Sequence, residues 1–267
     1  SDWSSDVCSS DLVGALRVLI SGVLLSPIAI LNRKKFPKKQ LKWLLLAAFA
    51  GNFIPMFLFP IAETKVRRSI AGIMNSMMPI FTIIVGALFW KTKTTSRQIL
   101  GILISFSGVV LLMISGEKSA ETPIFYVGLL LFAAFLYAVS VTTVGAKLTH
   151  IPAKMMSSFV FFYVLFLPSL ISLYFSNFFN EFTFTNENMI GLGFVATLSV
   201  LGTGLAMMLH YRLMSVSNPL FASTVTLLMP VVAVMWGVID GESFTFLQAV
   251  GAVIIFAGLI FLRKKKA

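Results

Sequence analysis

Seven side chains could hold a small solute inside a membrane: Asn52, Asn75, Met78, Tyr137, Ser140, Thr203 and Thr226. Each falls near the middle of an apolar stretch, where polar groups are costly to place and therefore informative. Asn75 and Thr82 stand seven apart on one helical face with Met78 between them, and Tyr137 and Ser140 share another. Amides, hydroxyls and a phenol can hydrogen-bond a solute, and a thioether can form an adaptable apolar wall. Pro79 and Pro230 each free a carbonyl one turn earlier, which either meets a solute or is satisfied by a neighbouring helix.

Much other chemistry is missing. No G-x-S-x-G, no H-E-x-x-H and no intramembrane acid pair is present, so nothing here supports an enzyme. His150 and His210 are too far apart for a metal motif on one helix, and the single cysteine excludes a disulfide framework; no cofactor or metal is expected. The reading also places no Asp, Glu, Lys or Arg near the middle of any span, which leaves a neutral or zwitterionic solute as the expectation. A Ser or Thr in a membrane helix most often bonds its own backbone or bridges helices. His210, beside Tyr211 and Arg212, reads as an interfacial anchor.

The elements that must position these groups are transmembrane helices. A chain that is 58% hydrophobic and only 12% charged is too apolar for a soluble domain of this length, since such domains carry about a quarter charged residues. A bilayer core needs about 20 apolar residues in a helix. Nine stretches come close to that length or exceed it: 13–32, 41–60, 68–90, 97–115, 124–147, 155–175, 189–213, 219–239 and 244–262.

The chain also repeats itself. A shift of 151 positions lays Gly51 on Gly202, Ala71 on Ala222, Met78 on Met229, Pro79 on Pro230 and Gly86 on Gly237. A shift of 150 then lays Thr95 on Thr245, Gln98 on Gln248, Gly101 on Gly251, Gly108 on Gly258 and Leu112 on Leu262. The second half has five spans and the first shows four, so the intact protein is expected to have ten. Five spans per half put the halves in opposite senses, an inverted repeat of five-helix units. The glycines at 101, 108, 251 and 258 fall on one face of their helices and suit close packing.

Lys and Arg favour cytoplasmic loops. With the Arg33–Lys42 side taken as inside, sixteen cations lie on that side and five on the other, which makes the C-terminus cytoplasmic. The basic excess thus sets orientation, and no nucleic acid is expected as a partner. Residues 2–12 (DWSSDVCSSDL) resemble one reading frame of a sequencing adapter translated into protein. Residues 1–12 are therefore expected to be non-native and to pack against nothing. The remaining organisation is a first repeat over 13–115 lacking its first helix, a linker over 116–123, a second repeat over 124–262, and a basic tail over 263–267.

The chain resembles the drug/metabolite transporter superfamily, in particular its EamA-type members, over nearly all of 13–267. The resemblance rests on the five-plus-five duplication, Arg17 opening a span, and Pro79 and Pro230 in equivalent helices. Its most specific piece is the Gly241-Glu242 turn followed by Gln248, Gly251 and Gly258. It implies an all-α, multi-pass protein of a bacterial cytoplasmic (inner) membrane. Such a protein would carry small organic solutes, amino-acid-like or other metabolites, frequently outward. Independently of the resemblance, a cavity near the bilayer midplane between the halves, lined by the seven residues above, is expected because those spans bring polar groups to that depth. A non-transporting membrane partner, a sensor or a flippase accessory subunit is the alternative. The expected partners are the solute and the lipid bilayer, and a homodimer stays open.

Overall fold

The structure is a computed structural model that describes residues 10–35, 37–66, 68–114, 123–175, 185–239 and 245–262. The chain is an all-α integral membrane protein, and all regular structure among the described residues is helical. Eight helices are long and apolar enough to cross a membrane: α1 (Ser10–Leu31), α2 (Lys38–Glu63), α3 (Ile70–Trp90), α4 (Ser96–Ile114), α5 (Ile124–Leu148), α6 (Ala153–Phe175), α7 (Asn188–Val216) and α8 (Pro219–Trp236). A ninth, α9 (Phe246–Leu262), is apolar and slightly shorter. All nine expected spans are therefore present as helices. The Gly241-Glu242 turn, the basic tail, and all of the 116–123 linker except Pro123 lie outside the described residues.

The helices form two compact units. Unit 1 holds residues up to Pro60 together with Thr143–Ser217, and unit 2 holds Ile61–Thr142 together with Asn218 onward. Neither unit is one of the sequence repeats. Each combines a segment of the first repeat with the matching segment of the second.

Unit 2 contains the clearest trace of the duplication. Thr95 and Gln98 cap α4 reciprocally: the Thr95 N–H donates to Gln98 Oε1 at 3.0 Å, and the Gln98 N–H donates to Thr95 Oγ1 at 3.3 Å. Thr245 and Gln248 do the same for α9, at 2.9 and 3.2 Å. This capping box satisfies two helix-end donors at once, which explains why Thr and Gln recur at the same offset.

The two helices so capped pack face to face through glycine. A Cβ on Gly101 would sit 2.8 Å from the Gly258 carbonyl oxygen, and one on Gly108 would sit 2.7 Å from that of Gly251. Gly101 lies near the start of α4 and Gly258 near the end of α9, so the pair is antiparallel. Gly101 is the repeat counterpart of Gly251, and Gly108 of Gly258. Exchanging the repeats therefore maps the crossing onto itself, as an inverted repeat requires. Val109, Leu112, Leu227, Val231 and Ile255 form the apolar core beside it.

Unit 1 is arranged around α1. Leu12, Ala15 and Leu16 are buried against Leu173, with Met56, Leu192 and Val195 packed alongside. The expectation that residues 1–12 pack against nothing is thus corrected at Leu12. Helix α1 starts at Ser10, upstream of the composition change at Val13, and its apolar face already includes Leu12. Residues 1–9 lie outside the described set. Gly22 lets α1 approach α6, where an added Cβ would lie 3.1 Å from the Phe161 carbonyl oxygen. Tyr163 of α6 donates its hydroxyl to the Ala29 carbonyl at 3.1 Å.

Unit 1 also holds four wide, π-type stretches, at Phe49–Phe53, Val144–Leu148, Phe159–Leu165 and Leu198–Leu205. Among the described residues none falls in unit 2. The first and last contain Asn52 and Thr203, which are repeat counterparts. An i→i+5 turn inserts one residue into the α-helical ladder and often marks a functional position.

Candidate solute-binding groups

The expected residues divide between the two units. Asn52 and Thr203 belong to unit 1, and Asn75, Met78, Tyr137, Ser140 and Thr226 to unit 2.

In unit 2, Asn75 lies on α3 just before a break in the helix at Ser76 and Met77. Its Nδ2 approaches Met229 Sδ on α8 at 3.7 Å, while its Oδ1 is buried without a partner. Met78 and Thr82 are buried on the next turns, and the Thr82 hydroxyl bonds back to the Met78 carbonyl at 2.9 Å. Thr226 likewise bonds its own helix, donating to the Ser223 carbonyl at 2.9 Å. Tyr137 is half-buried and Ser140 buried on α5, and both have partners. Phe81 meets Phe135 edge-on at 5.9 Å, which ties α5 to α3 near that level.

Pro230 removes the N–H that would reach the Thr226 carbonyl, and Ser76 fills part of that gap. Its hydroxyl is shared between the Gly72 carbonyl at 2.8 Å and the Thr226 carbonyl at 3.4 Å. The freed carbonyl on α8 is thus met by a neighbouring helix, one of the two outcomes open from sequence. Ser76 was not singled out from sequence. Counting one turn back from Pro230 and asking which hydroxyl could answer was the available signal.

In unit 1, a charged side chain meets one of the candidate residues. Arg17, the eighth residue of α1, donates from Nε to Thr203 Oγ1 at 3.0 Å. Thr203 is 8% exposed and sits at the middle of the 29-residue α7. Arg17 itself is the sixth residue of the span Leu12–Leu31, toward its end as the sequence placed it, and its long side chain reaches mid-length of its neighbour. One turn along α1, the Ser21 hydroxyl donates to the Ser199 carbonyl at 2.9 Å, inside the wide turn of α7.

Asn52, in the wide turn of α2, faces Tyr211 of α7. Tyr211 is 4% exposed. The Tyr211 hydroxyl and Asn52 Nδ2 are both buried and adjoin as a hydrogen-bonding pair, but neither atom reaches full hydrogen-bond geometry with any partner. Ser157 and Ser169 hydroxyls on α6 are also buried and unbonded, but a helical serine can rotate onto its own carbonyl one turn back. Leaving a buried polar group unmet costs ~1–3 kcal/mol. Tyr211 was overlooked from sequence because its neighbours His210 and Arg212 suggested an interface. His210 is half-buried, its ring 6.4 Å from that of Tyr211.

A family model described as the EamA-like transporter family matches residues 2–114 and 124–264. The chain belongs to the EamA-like transporter family. This EamA protein is 27% identical over 264 residues to the uncharacterised transporter YetK of Bacillus subtilis strain 168, covering 96% of this chain and 78% of that one. It is 27% identical over 259 residues to a Salmonella typhimurium LT2 protein named "Probable amino-acid metabolite efflux pump", covering 93% of this chain and 83% of that one. The uncharacterised inner membrane transporter YedA of Escherichia coli K12 is 25% identical, covering 95% and 82%. One solved crystal structure shares the fold, with a TM-score of 0.74 at 16% identity over 97% of this chain and 89% of that one. The chain is thus a multi-pass membrane transporter of the EamA type.

Proposed function

We propose that this EamA protein is a secondary carrier of small organic solutes, amino-acid-like or related metabolites, acting by alternating access across a bacterial cytoplasmic membrane. The observation that carries the reading is the set of unspent hydrogen-bonding atoms buried along spanning helices: Asn52 Nδ2, Tyr211 Oη and Asn75 Oδ1. Such groups are costly to keep in a membrane protein and are explained if a solute meets them in part of a cycle. Asn52, Asn75, Met78, Tyr137, Ser140, Thr203 and Thr226 are the residues assigned to its path. The π-type turns of unit 1 are the places assigned to helix readjustment, because each holds one residue more per turn than its flanks. The loop charges orient the C-terminus to the cytoplasm. The name of the Salmonella relative supports an outward direction and an amino-acid-like cargo.

The test is substitution in proteoliposomes with a panel of labelled solutes. Asn75→Ala and Tyr137→Ala are each expected to lower transport with membrane abundance unchanged. Normal transport by both variants would place the path elsewhere and leave these residues as packing groups.

A further inference from the structure

In unit 2, oxygen acceptors outnumber donors where α3 and α8 meet. Helix α3 is interrupted at Ser76 and Met77, and α8 at Thr224. Ser76 is fully buried, and its hydroxyl has one proton for two carbonyls. The Gly72 carbonyl, at 2.8 Å, takes that proton. The Thr226 carbonyl, deprived of its helical donor by Pro230, stands 3.4 Å from the same oxygen. That is long for O–H···O, which prefers about 2.5–3.0 Å. It suits a different relation. Oxygens bind a cation of the size of Ca²⁺ at about 2.3–2.6 Å, so two ligands at right angles stand roughly 3.3–3.7 Å apart. Na⁺ has nearly the same radius. A third oxygen is at hand in Asn75 Oδ1, buried and without a hydrogen-bond partner. The Asn75 amide lies against Met229, three residues along α8 from Thr226, and a helical carbonyl points in that direction along the axis.

We infer that Asn75 Oδ1, Ser76 Oγ and the Thr226 carbonyl oxygen form a sodium-ion site at the contact of α3 and α8, its remaining ligand positions filled by water or by an oxygen of the solute. All three oxygens are neutral, which fits a monovalent ion. Ca²⁺ sites draw on carboxylates as well, and neither α3 nor α8 contains an Asp or Glu. Backbone carbonyls freed where helices are interrupted are a general means of holding Na⁺ in duplicated carriers. Use of the ion to drive transport rests on the carrier reading above; binding of the ion does not.

The purified protein in detergent is unfolded by heat in sodium chloride and in potassium chloride of equal ionic strength, over a range of concentrations. Sodium about tenfold above its dissociation constant is expected to raise the midpoint over potassium by roughly 3–6 °C, with a saturating dependence. The readout in each variant is the sodium-minus-potassium difference, which a uniform loss of stability leaves unchanged. Ser76→Ala removes one ligand and is expected to abolish the difference. Pro230→Ala removes no ligand but gives residue 230 an N–H that occupies the Thr226 carbonyl, and is expected to abolish it too. Equal midpoints in the two salts at every concentration would overturn the site, whether or not the protein transports. A sodium shift that both variants retain would also overturn it, because the ion would then bind elsewhere. A sodium shift lost in both variants, without transport of any solute, would support the site and contradict the carrier reading alone.

Discussion

Ser105 donates its hydroxyl to the carbonyl of Ile255 at 3.1 Å, and Ile255 is the residue that stands where Ser105 stands, 150 positions later. A residue that bonds its own repeat counterpart lies on the axis relating the two copies. Glycines on either side of it then pair crosswise, Gly101 with Gly258 and Gly108 with Gly251. The crossing leaves no room for a side chain, since each added Cβ would meet backbone atoms that cannot swing aside.

That crowding predicts a contrast between two alanines. An alanine at Gly108 would place its Cβ 2.7 Å from the Gly251 carbonyl oxygen and 2.8 Å from the Ile255 nitrogen. Gly108→Ala should lower stability by ~1–3 kcal/mol, the range for overpacking. Gly128 on α5 has nothing within 4 Å of its added Cβ. Gly128→Ala should therefore gain up to about 1 kcal/mol from helix propensity alone. Unfolding midpoints in detergent check both, and equal effects at the two positions would mean the glycine crossing is not tight.

Lys91 closes α3 with φ 53°, the only positive φ at a non-glycine among the described residues. The following N–H, from Thr92, reaches back to the Gly86 carbonyl at 3.0 Å in a Schellman-type end. Its counterpart in the second repeat is Gly241, the residue type that adopts this conformation without steric cost. Lys91→Gly should accordingly raise stability by about 0.5–1 kcal/mol, less the entropy glycine adds to the unfolded chain. A lower unfolding midpoint would mean that the lysine makes a contact worth more than its strain.

The Ser76–Thr226 bond predicts a coupling. Ser76→Ala should cost about 0.5–1.5 kcal/mol in the parent protein. With Pro230→Ala, residue 230 regains an N–H that can reach the Thr226 carbonyl, so the serine should then matter less. A double-mutant cycle measures this directly. Strict additivity would show that Ser76 serves only its own Gly72 carbonyl.

Much of the fold was legible because membrane helices declare themselves by apolar length, and all nine did. The repeat was legible at Thr95, Gln98 and the glycines because those residue types perform geometric tasks that must be performed twice. The wide turns were not legible, since inserting one residue into a helical turn leaves no compositional mark at Asn52 or Thr203. The partner of Arg17 was not legible, because which residue of α7 its long side chain reaches depends on packing between helices far apart in sequence. Tyr211 was missed because burial of a phenol beside His210 and Arg212 depends on what α2 brings against it, and no local pattern records that. Thr226 was chosen for its hydroxyl, yet it is its carbonyl, freed by Pro230, that another helix answers.

The most direct test of solute transport is counterflow in proteoliposomes. Vesicles are preloaded with an unlabelled amino acid and diluted into a trace of the labelled one, with insertion of the protein confirmed. Transient accumulation of label above protein-free vesicles, reduced by Asn75→Ala, is the predicted result. Label that never exceeds the protein-free level for any solute in the panel would contradict a carrier.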